Sequence, residues 1–201
     1  MKENKSKKEI ILDAALSLFS EKGYDAVGVD EIGAAAGVKG PAIYHYFRGK
    51  EAILNELING CENYYGERFG LANDSLSIPN TLEEFIRISL DRLDFTIHDP
   101  DIQKIRKLIT MEQFRNNTFR KLATEHFLDN TIGINKIILT ELIQRGQVKD
   151  YDPGMMAFEF TAPVSMLIAM IDREPEQEDL VMERIRNHME HFIEVYGVKG
   201  D

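Results

Sequence analysis

Apolar residues along this chain recur at intervals of three and four, so the pattern predicts helices and no strand. The first helix covers residues 7–22, with Ile10, Ile11, Ala14, Ala15, Leu18 and Phe19 inward and Gly23 at its end. A short second helix puts Val29, Ile32 and Ala36 on one face, and Gly33, Ala34 and Ala35 keep it thin enough for close crossing. Gly37 falls where a left-handed residue stops a helix with little strain, and Pro41 suits the first turn of the next. Ile43 and Phe47, four apart, supply the inward side of that third helix. Residues 51–69 form a longer connecting helix that buries Ile53, Leu54, Leu57, Ile58, Cys61, Tyr65 and Phe69.

The stretch 70–80, GLANDSLSIPN, reads as a loop and as the junction between a first domain, 1–50 with its connecting helix 51–69, and a second domain, 70–201. Thr81 and Glu84 form a capping box for a helix reaching Ile97. Asp99-Pro100 restarts the chain into a short helix through Met111 and Phe114, and one long helix is expected over 117–145, closed by Gly146. Asp152-Pro153 caps a helix to about residue 172 that is apolar nearly all round, with a kink expected at Pro163; a last helix covers 175–196. The expected fold is all-α: an amino-terminal three-helix helix-turn-helix domain and a carboxy-terminal helical domain.

The outward face of the third helix is unusual. Lys39, Gly40, Ala42, Tyr44, His45 and Tyr46 present small, aromatic and basic groups, with Arg48 and Lys50 just beyond. Two helices joined by a Gly-containing turn, the second offering such a face, describe a helix-turn-helix whose second helix enters the DNA major groove. Net charge opposes that reading only when taken whole. The chain carries −10, but residues 1–50 hold eight Lys/Arg against seven Asp/Glu, and the remainder holds 16 against 27. Lys2, Lys5, Lys7 and Lys8 crowd the end from which an arm would reach DNA, and the acidic remainder is expected to face away from phosphates.

Gly23 to Leu54, GYDAVGVDEIGAAAGVKGPAIYHYFRGKEAIL, closely resembles the DNA-binding domain of the tetracycline-repressor (TetR) family of bacterial transcription regulators. The resemblance runs back to Lys7 through KKEIILDAALSLFSEKGY, about the first quarter of the chain. Three departures stand out: Val27 and Gly28 replace a Ser or Thr cap, Ala42 replaces a hydroxyl residue, and Gly49 replaces Ser or Thr. The expected DNA-binding set is Lys7, Val29, Lys39, Gly40, Pro41, Ala42, Tyr44, His45, Tyr46 and Lys50, with Tyr44, His45, Tyr46 and Lys50 mainly on phosphates and Gly40, Pro41 and Ala42 nearest the bases. Double-stranded operator DNA and a second copy of the chain are the expected partners. The apolar helices over 153–172 and 175–196 would pair with their twofold mates. The resemblance implies a cytoplasmic repressor released by a small-molecule effector.

Tyr65, Phe69, Phe95, Met111, Phe114, Phe158 and Met166 are candidates to line an apolar pocket for a lipophilic or aromatic molecule, as against ordinary core. Glu62, His98, Glu112, Arg115, His126 and Glu159 are candidates for its polar groups. His188, Glu190, His191 and Glu194 lie within two turns, and a solvated or interfacial face explains them better than a metal site. A lone cysteine, Cys61, makes no internal disulfide and leaves a redox role open. No catalytic fingerprint appears, so no enzyme, cofactor or metal is expected; no apolar run near 18 residues is read, and no membrane span or signal peptide is expected. The alternatives are a regulator controlled by a protein partner, with a filled core, and an activator.

Overall fold

Ser6 starts the first helix. Its hydroxyl accepts from the Glu9 N–H at 3.2 Å while Glu9 accepts from the Ser6 N–H at 2.7 Å, a complete capping box. The computed structural model describes residues 5–69 and 76–198, apart from the side chains of residues 40, 126 and 127. Among the described residues there are ten α-helices and no strand. The expected arm at residues 1–4 and most of the expected junction, 70–75, lie outside the described residues.

The helices are α1 (Lys7–Lys22), α2 (Val29–Ala35), α3 (Gly40–Ile43), α4 (Lys50–Phe69), α5 (Leu82–His98), α6 (Pro100–Glu112), α7 (Asn117–Thr124), α8 (Asn130–Gln144), α9 (Pro153–Arg173) and α10 (Glu178–Tyr196). They gather into two units. One holds residues up to 76 together with His98–Arg120; the other holds Ser77–Ile97 and Lys121 onward. The expected division at the 70–80 loop would have left α6 with the second group. Its buried Ile105, Leu108 and Ile109 instead pack with α1 and α4, because a return of the chain at Asp99-Pro100 brings them there. Asp99 caps α6, its carboxylate accepting from the N–H groups of Asp101 and Ile102.

In the first unit α1 buries Ile11, Ala15, Leu16 and Phe19, α2 buries Ile32, and α4 buries Ile53, Leu54, Leu57 and Ile58. In the second, Phe160 of α9 meets Phe85 of α5 at 4.8 Å between ring centres and Phe192 of α10 at 5.0 Å. A buried hydrogen bond from the Asn135 amide to Thr161 Oγ1, 2.9 Å, pins α8 to α9.

Two expectations for this unit need correction. The rod over 117–145 is interrupted by a π-turn at Glu125–Asp129, where the Asn130 N–H donates to the Glu125 carbonyl five residues back. Backbone angles stay helical on both sides, so apolar spacing alone does not reveal the extra residue. And α9 is, by length and composition, apolar enough to cross a bilayer, with a mean hydropathy of 1.6 over an 18-residue window. Packing against α8 and α10 accounts for only part of that composition, since 28% of the window is buried within the described chain. Helix α9 continues unbroken through Pro163, with Asp152 capping it through the Met155 N–H at 2.6 Å.

Candidate nucleic-acid interface

Glycine decides the corner between α2 and α3. Gly37 has φ +68°, its N–H donates to the Ala34 carbonyl at 3.2 Å, and the Val38 N–H donates to Gly33 at 2.9 Å. That pair of bonds is a Schellman ending, which an L side chain at 37 would strain. Lys39 then leads into α3, with Pro41 in its first turn, where a missing N–H costs nothing.

Regular α-helix covers only Gly40–Ile43, and the chain continues as tight turns through Tyr46. The inward anchors are those the spacing predicted: Ile43 is fully buried and Phe47 nearly so. Fixed from below by these two, the segment turns Lys39, Pro41, Tyr44, His45, Tyr46 and Arg48 to solvent. Tyr44 is 60% and Tyr46 43% exposed. None of these polar groups has a hydrogen bond or ion pair within the described chain. An exposed row of donors with no internal work, on a short element held by two buried anchors, suits contact with phosphate and base edges. Ala42 and Val29 are half-buried beside it.

The first turn of α2 lacks a side-chain cap at Gly28, though Asp30 and Glu31 favour the positive end of its dipole. Glu31 also pairs with Lys22 at 2.5 Å, tying α2 to the end of α1. Just before α1 Lys5 pairs with Asp13, and on the helix Lys8 pairs with Glu56, each at 2.5 Å and solvent-exposed, while Lys7 is exposed. Such surface pairs contribute little and open readily to a phosphate.

Lys50 is placed differently from its expected role. Its ammonium donates to the Tyr24 carbonyl at 2.8 Å and to that of Asp25 at 3.4 Å, and sits 4.3 Å from the centre of the Tyr24 ring. It therefore braces the corner after α1. Tyr24 also packs against Phe19 and Phe119, with ring centres 5.2 and 5.7 Å away, and burial raises the pKa of its phenol. A polar cleft of about 310 Å³ beside it is lined by Tyr24, Glu51, Leu54, Asn55, Asn116 and Thr118.

The seven candidates for an apolar pocket divide between the two units. Tyr65, Phe69, Met111 and Phe114 belong to the first unit, and Phe95, Phe158 and Met166 to the second. Tyr65 and Phe69 stack on one another at 4.9 Å, while Phe95 is half-buried. Phe114 is 90% and Met166 75% exposed, so neither lines the interior of its own unit; Met111 and Phe158 are also exposed. Among the proposed polar groups, Glu112 is buried in the first unit and accepts from the Tyr24 N–H at 2.9 Å. Sequence reasoning missed that contact, although 105, 108, 109 and 112 place Glu112 on the buried stripe of α6. Glu159 accepts from the Tyr196 hydroxyl, and His188 Nε2 lies 3.3 Å from the Phe160 carbonyl. Among the described residues no group of three or more His, Cys, Asp or Glu is arranged to hold a metal.

Residues 11–57 match the family described as bacterial regulatory proteins, tetR family. The biofilm operon icaADBC HTH-type negative transcriptional regulator IcaR of Staphylococcus epidermidis is 28% identical over 167 residues, covering 82% of this chain and 80% of IcaR. The transposon Tn10 TetC protein of Escherichia coli is 28% identical over 156 residues, covering 76% of this chain and 73% of TetC. Among solved structures, the SmeT–triclosan complex has a TM-score of 0.78 at 20% identity, covering 98% of this chain and 94% of SmeT, a likeness of fold.

Proposed function

Because this chain belongs to the tetR family of bacterial regulatory proteins and is a DNA-binding transcriptional regulator, we propose that it is a cytoplasmic repressor. It binds a palindromic operator as a homodimer and leaves it when a small molecule binds. The exposed, internally unpartnered row Lys39, Tyr44, His45, Tyr46 and Arg48 carries this reading, with Gly40, Pro41 and Ala42 nearest the bases. Lys7 and Val29 flank that row. One such short element covers little DNA, and a twofold partner supplies the second half-site. The outward apolar residues of α9, Met155, Phe158 and Met166, favour such a partner. The chain works by binding; catalysis has no part in this reading.

Effector control rests on the family and on a protein of like fold having been solved with triclosan. The effector favours a dimer whose reading elements no longer match successive grooves, a shift between two populations. Selection of duplexes from a random library by the full-length protein tests the DNA half of the reading. The expected product is an inverted repeat with half-site centres ~34–36 Å apart; no enrichment, or a single asymmetric site, overturns it. Melting the protein with a panel of lipophilic compounds tests the other half. A ligand raises the melting temperature and lowers operator affinity; a panel without effect favours control by a protein partner.

A further inference from the structure

We propose that Glu112 is a positioning residue for DNA reading: its carboxylate, at the end of α6, holds the Gly23–Tyr24 corner from which α2 and α3 depart. This rests on the reading of α2 and α3 as the DNA-reading pair and adds the residue that sets their attitude.

Helix α6 is fastened at two points, to α1 and to the corner after it. Lys104 Nζ donates to Ser17 Oγ at 3.2 Å, and at the last residue of α6 the N–H of Tyr24, two residues past the end of α1, donates to Glu112 Oε1 at 2.9 Å. The attachments fall in the same order along both segments, about two turns apart, so they fix both the direction and the register of α6 on α1. Between them run Ile105, Leu108 and Ile109, all buried. An apolar residue at 112 would have completed that stripe. A carboxylate stands there instead, only 3% exposed, and burial of a carboxylate is costly unless it is hydrogen-bonded. The bond it makes satisfies a backbone N–H just past a helix end.

The corner is shaped around this group. Gly23 has φ +84°, and a Cβ there would lie 2.6 Å from Glu112 Oε1. On the other side of the same residue, Lys50 at the start of α4 takes the Tyr24 carbonyl at 2.8 Å and covers the ring. The Tyr24 backbone is therefore gripped at its N–H from α6 and at its carbonyl from α4. Four residues later Gly28 begins α2.

The test uses the full-length protein and the operator obtained by the library selection. Glu112→Gln keeps an acceptor at the same reach; Glu112→Asp keeps the charge but withdraws it by one methylene; Glu112→Ala removes it. Glu112→Ala and Glu112→Asp are expected to weaken operator binding about tenfold, the effect of leaving the Tyr24 N–H without its acceptor, with an unchanged salt slope because the phosphate contacts remain. Glu112→Gln should recover most of the affinity. The Tyr24 amide should exchange with solvent about tenfold faster in the Ala and Asp variants than in the wild type. Asp binding as well as wild type, or better than Gln, overturns the proposal. Should the Ala variant not fold, the order of Gln over Asp still decides. If the wild type selects no DNA, the DNA-binding reading fails, and Tyr24 exchange in the free protein still decides whether Glu112 holds the corner: unchanged exchange in the Asp variant overturns it.

Discussion

Tyr44 turns most of its surface to water although its neighbours Ile43 and Phe47 are buried, so its hydroxyl is held out by anchors it does not share. On the proposed reading, replacing it by alanine removes one phosphate contact from each half of the dimer. At about 1 kcal/mol per bond and two subunits, operator affinity should fall about thirtyfold with the dimer intact, measured by titration of labelled operator. Unchanged affinity would place α3 wrongly. Cys61 is a different case. Burial, then the charges of Asp101, Asp99 and Glu62, push its thiol up to about 12, so hardly any thiolate exists at neutral pH. Iodoacetamide should label it slowly at pH 7 in the native protein and rapidly once the chain is unfolded; quick native labelling, followed by mass spectrometry, would restore the redox role. Tyr196 is pushed up to about 12, first by its hydrogen bond to Glu159 and then by burial. A raised phenol pKa stabilises the fold below the ordinary tyrosine value, near 10, and the contribution is lost as pH climbs from there to about 12. Melting curves across that range should decline less steeply in Tyr196→Phe than in the wild type.

At the scale of elements, the helices and their inward faces were legible because period and caps are local. Gly37 and Pro41 marked the corner, and Ile43 and Phe47 marked the side of α3 that packs. Partners were not legible. The spacing of Ile105, Leu108 and Ile109 shows that α6 buries a face, but not that the face meets α1. For the same reason the Tyr24 contacts made by Glu112, one of six candidates for the polar groups of a pocket, and by Lys50, expected mainly on phosphates, were not foreseen. The π-turn escaped because a single added residue leaves the flanking stripes intact. Pinning of α8 to α9 by Asn135 and Thr161 was equally hidden, since each residue alone looks like a polar interruption. Thr161→Val keeps the shape and strands the Asn135 amide. A loss of about 1–3 kcal/mol is expected in urea unfolding, mostly recovered when Asn135 is also made apolar; a loss that persists in the double variant would point to packing instead.

For the molecule as a whole, the uneven distribution of charge matters more than its total. The first fifty residues are near neutral and the remainder is strongly acidic, so approach to DNA is favoured through the first fifty. On α9, Met155, Phe158 and Met166 project outward without charge of their own, and Met166 is exposed enough that changing it should spare the fold. Met166→Glu is expected to sediment as a folded single subunit, with a melting temperature that no longer depends on protein concentration, and to lose the inverted-repeat preference. A dimer that survives would move the pairing surface elsewhere. Pairing through that bare patch would also make the regulator a gauge of its own abundance. While most copies in a cell are solitary, the number of couples grows as the square of the copy number, so a twofold drop in synthesis leaves about a quarter of the competent reader and silencing gives way abruptly.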